Sequence, residues 1–198
     1  IPEDGTSPDE LLRLADLAMY EAKSSGRNCF CFFSPHMNHI AQMNAGIESD
    51  LRDALISNQL FLEYQPIVDT ASGNYVGLEA LLRWNHPVRG RLYPSDFIKV
   101  ANDSGLIGRM GTWVIEAVCK QIALFAEEGI ELPHIAVNVS PKQFEYAAMC
   151  SEILDLAAKY AIPPGKLAIE ITEELLIDNS PKVREQLATL RAGGIQIS

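Results

Sequence analysis

Short apolar segments alternate with longer segments of helical periodicity from residue 60 to the end of the chain. The apolar segments, bounded by Gly, Pro, Asn or Ser, predict strands over residues 60–69, 75–85, 135–140, 167–172 and from 195 onward. The segments between them predict helices over residues 94–104, 105–128, 141–160 and 181–192. Strands that alternate with helices in this way predict parallel βα units and an α/β fold.

Three of the predicted strands each place one oxygen-bearing side chain on a face with small neighbours. Because side chains alternate between the two faces of a strand, Glu79 lies opposite an apolar face, and Asn138 and Glu170 each share a face with an alanine. Two carboxylates and an amide oxygen are suitable ligands for Mg²⁺ or Mn²⁺. The alternative for each residue taken singly is a solvated or hydrogen-bonded polar group of the sheet, with no ligand.

Charge and composition exclude some classes of function. The formal net charge of −10, from 26 acidic and 16 basic residues, argues against a nonspecific binder of nucleic acid polymers. A phosphate ligand would therefore need local cations or a metal ion. The four cysteines show no CxxC spacing, and the chain has no signal peptide pattern and no apolar run that could cross a bilayer. We expect free thiols, no membrane contact within this segment and a cytoplasmic location.

The first 58 residues have a different organisation. Ser7 is predicted to cap a helix that has Pro8 at its first position and stops at residues 25–26, and an apolar strand is predicted over residues 29–33. Residues 34–58 show helical spacing and predict a connector helix that runs into the next domain. Because Ile1 stands in place of Met, we expect the chain to be part of a longer protein, whose upstream region could include a membrane anchor.

Several short motifs occur together in one order along the second part of the chain. They are Tyr64-Gln65-Pro66-Ile67, Glu79-Ala80-Leu81 followed by Leu82-Arg83-Trp84, Pro94-Ser95-Asp96-Phe97-Ile98, Val137-Asn138-Val139-Ser140 and Glu170-Ile171-Thr172-Glu173. In sequence and order they resemble the EAL-domain phosphodiesterases, which hydrolyse cyclic di-GMP. The segment Ala15-Asp16-Leu17-Ala18-Met19-Tyr20-Glu21-Ala22-Lys23 with Gly26-Arg27-Asn28 resembles the carboxyl end of a GGDEF (diguanylate cyclase) domain, without the GGDEF sequence itself.

These resemblances imply a domain organisation. Residues 1–33 would be the carboxyl-terminal end of a GGDEF domain, present as a helix and a strand. Residues 34–50 would form a linker helix, and residues 51–198 the amino-terminal part of an EAL domain. The expected fold is a (β/α)8 TIM-like barrel, truncated at Ser198, and the isolated fragment is expected to be inactive.

The EAL resemblance also implies a chemistry and a set of site residues. In this family the residues that match Glu79, Asn138 and Glu170 bind Mg²⁺ or Mn²⁺, and an aspartate pair that would follow Ser198 completes a two-metal site. Gln65 and Arg83 match residues that contact the ligand. The implied reaction is hydrolysis of cyclic di-GMP to linear pGpG in bacterial signalling, by a homodimer formed through the EAL domain. Alternatives are a non-catalytic cyclic di-GMP receptor and a segment that serves only as a dimer surface; whether Glu173 belongs to the strand or to the following loop is left open.

Overall fold

The computed structural model describes residues 7–24, 26, 28–131, 133–146, 148–171 and 180–198. The chain forms two compact units, which meet in sequence between Leu51 and Arg52. Across the described residues, no helix is both long enough and apolar enough to span a membrane.

The first unit contains helix α1 (Pro8–Ser24) and most of helix α2 (Pro35–Ala54). The backbone N–H of Glu10 donates to the Ser7 hydroxyl at 3.1 Å, so Ser7 satisfies an otherwise unpaired donor in the first turn of α1, as the sequence predicts. Arg13 of α1 donates to the Asn38 side chain of α2 at 2.6 Å.

The strand predicted over residues 29–33 is absent, and that prediction is wrong. These residues adopt no regular secondary structure and pair with no strand in the described part of the chain. Phe30 and Phe32 are 80% and 83% exposed. A strand is stabilised by hydrogen bonds to a neighbouring strand, and an apolar sequence without such a partner does not form one. The helix of the expected helix-and-strand remnant is therefore present, whereas its strand is not.

The second unit consists of a sheet and its covering helices. In chain order its elements are β1 (Leu60–Val68), β2 (Tyr75–His86), β3 (Gly90–Leu92), α3 (Pro94–Asp103), α4 (Ile107–Glu127), β4 (Ile135–Val139), α5 (Pro141–Glu145), α6 (Met149–Lys159), β5 (Leu167–Ile171), α7 (Pro181–Ala192) and β6 (Gln196–Ile197).

The described strands form one six-stranded sheet with the order β1-β2-β4-β5-β6, and β3 pairs with β2. β1 and β3 are antiparallel to β2, whereas β2, β4, β5 and β6 are parallel to one another. The parallel βα units predicted from the alternating pattern are thus present. Closure into a barrel stays a prediction.

The core lies between the apolar face of the sheet and the helices α4, α6 and α7. Ile135, Leu167 and Ile169 of the sheet are fully buried there. Near the end of β2, Trp84 is also fully buried; its ring meets Phe97 edge to face at 5.6 Å between ring centroids. Because the helices cover this face, the polar side chains of the strands lie on the opposite face.

The single helix predicted over residues 141–160 is interrupted, which corrects the sequence-based boundary. α5 ends at Glu145, and Tyr146 takes an extended conformation with ψ 114° before α6 begins at Met149. The turn allows the Tyr146 hydroxyl to donate to Glu152 in the first turn of α6 at 3.1 Å. The helical periodicity continues across the break, which is why the pattern alone does not reveal it.

Candidate active site

The register of the parallel strands brings the three predicted metal ligands onto one face of the sheet. Glu79 of β2 lies opposite Ala136 of β4, and Asn138 of β4 lies opposite Glu170 of β5. Directly opposed residues of neighbouring strands share a face, as do residues two apart on one strand. Glu79, Asn138 and Glu170 therefore project to the same side of three adjacent strands. Asn138 and Glu170 lie next to the last residues of β4 and β5, and Glu79 lies within β2.

Glu79 and Asn138 are in direct contact although 59 residues separate them in the sequence. The Asn138 amide nitrogen Nδ2 donates to Oε1 of Glu79 at 2.6 Å. This contact orients the amide so that its oxygen stays available as a ligand for a cation. Asn138 is exposed, whereas Glu79 and Glu170 are half-buried, so the group is open on the side that a ligand would approach.

The electrostatics of Glu170 indicate that two carboxylates share this region. Burial raises the pKa of Glu170 above its usual value, and the negative charge of Glu79 raises it further. Two like charges that repel each other across a half-buried surface are stabilised by a cation placed between them. Within the described ranges, no three His, Cys, Asp or Glu side chains converge on a metal position. The donor set is thus two carboxylates and an amide oxygen, which fits a hard divalent cation.

The two predicted ligand-contacting residues lie on this same face. Gln65 of β1 is directly opposite Glu79 and is exposed. Arg83 is four residues beyond Glu79 on β2, and its side chain is only 12% exposed. Its Nε donates to Oε2 of Glu63 at 2.8 Å, its Nη1 donates to the Leu82 carbonyl at 2.8 Å, and its guanidinium lies 5.1 Å from the ring centroid of Tyr93. Arg83 is therefore held in a fixed position.

The residues that hold Arg83 were not predicted from the sequence. Glu63 lies two positions before Gln65 on β1, so strand alternation alone could have placed it on the site face. Arg91 and Tyr93, by contrast, reach this region because β3 pairs back onto β2, with Arg91 opposite Asn85. A three-residue strand after a turn gives too weak a pattern to be predicted.

A buried glutamine supports the end of β4. Gln143 is 8% exposed, and its Oε1 accepts a hydrogen bond from the Ser140 backbone N–H at 2.8 Å. Ser140 comes two residues after Asn138, so this bond fixes how the chain leaves the strand. The Gln143 side chain lies against Gly111 of α4, where a Cβ atom would overlap its amide nitrogen. Glu173, the second acidic residue of the Glu170-Ile171-Thr172-Glu173 motif, lies outside the described residues.

Comparison with known proteins identifies relatives along almost the entire chain. Residues 48–198 match the model of the family described as EAL domain. The bifunctional diguanylate cyclase/cyclic di-GMP phosphodiesterase MucR of Pseudomonas aeruginosa is 40% identical over 195 residues, which cover 97% of this chain and 28% of MucR. The cyclic di-GMP phosphodiesterase PdeR of Escherichia coli is 39% identical over 178 residues, which cover 90% of this chain and 27% of PdeR. The chain thus spans about a quarter of the length of these curated relatives.

Solved structures agree with this relationship. The PaMucR phosphodiesterase in complex with c-di-GMP superposes with a TM-score of 0.73 at 36% identity, over 77% of this chain and 62% of that chain. The FimX EAL domain of Xanthomonas citri superposes with a TM-score of 0.71 over 81% of this chain and 62% of that chain, at 20% identity, which supports the fold alone. Since the matching family model covers most of the chain, including every residue of the site, the chain belongs to the EAL domain family.

Proposed function

We propose that the protein containing this chain hydrolyses cyclic di-GMP to linear pGpG in a reaction that depends on Mg²⁺ or Mn²⁺. The observation that carries the proposal is the placement of Glu79, Asn138 and Glu170 on one face of adjacent strands, with Glu79 and Asn138 in contact. Relatives named as cyclic di-GMP phosphodiesterases, at 39–40% identity, support the choice of substrate.

Each site residue has a role in this proposal. Glu79, Asn138 and Glu170 would hold the divalent ion, which supplies positive charge to stabilise the negative charge that develops during phosphodiester hydrolysis. Arg83 binds a phosphate oxygen through its guanidinium N–H groups, since an ionised donor and acceptor give a short, strong hydrogen bond. Gln65, exposed beside Glu79, hydrogen-bonds the ligand and orients the scissile phosphodiester. Hydrolysis adds one water across a P–O bond and opens the ring.

The proposal extends to the organisation of the longer protein. Residues 1–33 would be the end of a GGDEF domain, residues 34–50 a linker, and residues 51–198 the first part of a (β/α)8 barrel that forms a homodimer in the cytoplasm. The alignment with MucR supports the upstream domain, because it covers 97% of this chain and that relative is named as a diguanylate cyclase as well.

Carboxylate substitutions in the full-length protein test the activity. Glu79→Gln and Glu170→Gln each remove one charge and keep the shape of the side chain. We expect either substitution to lower kcat for cyclic di-GMP by about 100-fold or more, the scale observed when a group that stabilises transition-state charge is removed. Turnover is measured by chromatography of pGpG in Mg²⁺ or Mn²⁺. Glu128→Gln at the end of α4 is the matched control, because this exposed carboxylate is remote from the site face.

The outcomes of these assays distinguish a phosphodiesterase from a non-catalytic receptor of cyclic di-GMP. Loss of turnover in both site variants, with normal turnover in the Glu128 control, supports the proposal. Wild-type turnover in either site variant contradicts it. Binding of cyclic di-GMP by the wild-type protein without hydrolysis in either metal would assign the protein to the non-catalytic receptors instead.

A further inference from the structure

Two guanidinium groups share a single carboxylate beside the candidate active site. Glu63 of β1 forms ion pairs with both Arg83 of β2 and Arg91 of β3. Both arginines also lie against the ring of Tyr93, at 5.1 Å and 5.5 Å from its centroid. Arg91 contacts a second ring, that of Phe61, at 5.6 Å. We call Glu63, Arg83, Arg91 and Tyr93 the arginine cluster.

The arginine cluster lies on the same face of the sheet as the candidate metal ligands. Glu63 shares a face with Gln65, which is directly opposite Glu79. Arg91 is opposite Asn85, which shares a face with Arg83. Four residues separate Glu79 from Arg83, a distance of about 13 Å along a strand. A dinucleotide bound at Glu79 and reaching along β2 would therefore approach Glu63 as well as Arg83.

A carboxylate at this position is unfavourable for an anionic ligand unless its charge is neutralised. Hydrogen bonding from Arg91 is the main cause that lowers the pKa of Glu63, and hydrogen bonding from Arg83 lowers it further, so Glu63 is ionised at neutral pH. If Arg83 were its sole partner, the two charges would cancel and the site would offer a phosphate no net positive charge. With Arg91 present, one carboxylate faces two guanidinium groups, and one positive charge stays uncompensated.

The positions of the two arginines indicate that Arg83 presents the uncompensated charge to the ligand. Arg83 is 12% exposed and held in place, and the described contacts use its Nε and Nη1 groups. A guanidinium has five N–H donors, so donors of Arg83 remain for a phosphate oxygen. Arg91 is 42% exposed at the margin of the cluster, where its described contacts are Glu63 and the two aromatic rings.

We propose, resting on the proposed function, that Arg91 is a positioning residue that neutralises Glu63, so that Arg83 keeps a free positive charge for a phosphate of the dinucleotide. Arg91 acts through Glu63 and Arg83 without touching the reacting atoms. Its loss should therefore affect ligand affinity and KM, while kcat depends on the metal ligands and stays close to the wild-type value.

A pair of variants of the full-length protein isolates the charge. In Arg91→Met, Arg83 is the one arginine of the cluster that still neutralises Glu63, so its own charge is compensated. We expect Kd and KM for cyclic di-GMP to rise about tenfold, the scale of a lost charge-assisted hydrogen bond. In Glu63→Gln/Arg91→Met the contacts of Arg91 with Phe61 and Tyr93 are lost as well, but Arg83 is again uncompensated. We expect this double variant to return Kd to within about threefold of the wild-type value.

The measurements are calorimetric titration with cyclic di-GMP in Ca²⁺ and steady-state hydrolysis in Mg²⁺. Arg89→Met is the matched control, because it removes the same charge from an exposed position of the β2–β3 turn and should leave Kd unchanged. Wild-type affinity in Arg91→Met, or an affinity in the double variant as weak as in the single variant, overturns the inference. If the wild-type protein binds the dinucleotide and hydrolyses it, such a result counts against Arg91 alone; if the wild-type protein neither binds nor hydrolyses it, the proposed function itself fails.

Discussion

The contact of Gly111 in α4 with the buried Gln143 side chain predicts an unusual effect of Gly111→Ala. Such a substitution usually stabilises a helix, but we expect it to destabilise this protein. Gly111 lies inside α4, where replacing glycine by alanine ordinarily stabilises a helix by about 1 kcal/mol. The added methyl group would overlap the amide nitrogen of Gln143 and approach its Cδ atom to 3.3 Å. The end of a glutamine side chain can usually move away from such a contact. Here it is 8% exposed and held by the Ser140 N–H at 2.8 Å.

The expected magnitude follows from what Gln143 must give up. Moving the side chain breaks its bond to Ser140 and leaves buried polar groups without a partner, at a cost of about 1–3 kcal/mol for each unsatisfied group. This cost exceeds the helix-propensity gain. We therefore expect Gly111→Ala to lower the free energy of unfolding by about 1–2 kcal/mol. In a Gln143→Ala background the obstacle is absent, and the same substitution should raise the free energy of unfolding by about 1 kcal/mol.

A double-mutant cycle measures this coupling. Urea unfolding of the wild type, the two single variants and the double variant, followed by circular dichroism, gives the four free energies. We expect a coupling of about 2–3 kcal/mol between Gly111 and Gln143. If Gly111→Ala stabilises the protein equally in both backgrounds, Gln143 is not fixed against α4 and the reasoning is refuted.

Two further predictions concern carboxylates with shifted pKa values. Hydrogen bonds from Lys159 and Tyr160 lower the pKa of Glu116 from 4.5 to about 2. These hydrogen bonds therefore stabilise the protein above about pH 4.5, and their contribution is lost as the pH falls toward about 2. Glu116→Gln should make the free energy of unfolding, measured by urea unfolding, less dependent on pH in this range. We expect the effect to be no more than about 1 kcal/mol, because the Glu116 side chain is 31% exposed. At Glu170 the pKa is raised by burial and by the charge of Glu79, so its ionised form opposes folding at neutral pH and this cost disappears as the pH falls. Without divalent ions, Glu170→Gln should therefore raise Tm at pH 7. Addition of Mg²⁺ should raise the Tm of the wild type more than that of the variant. A larger effect of Mg²⁺ on the Tm of the variant would contradict the placement of Glu170 at the cation.

Local structure, and the side of each strand on which a residue lies, can be predicted from the sequence alone. Strand alternation placed Glu79, Asn138 and Glu170 opposite apolar faces, and the structure has them on one common face. The helix starts at Pro8, Pro94, Pro141 and Pro181 follow from proline at the first helical position. These features depend on interactions within a few residues, and they can be predicted without knowledge of the fold.

Which of these residues come into contact depends on the tertiary structure. The relative register of β2 and β4 brings Asn138 against Glu79, 59 residues away, and the pairing of β3 with β2 brings Arg91 to Glu63. The apolar residues 29–33 do not become a strand, since strand formation requires a partner. Periodicity specifies the face on which a side chain lies, but register, pairing and contact depend on the packing of segments that are distant in the chain. For this reason the candidate metal ligands could be predicted from the sequence, whereas the cluster that holds Arg83 could not.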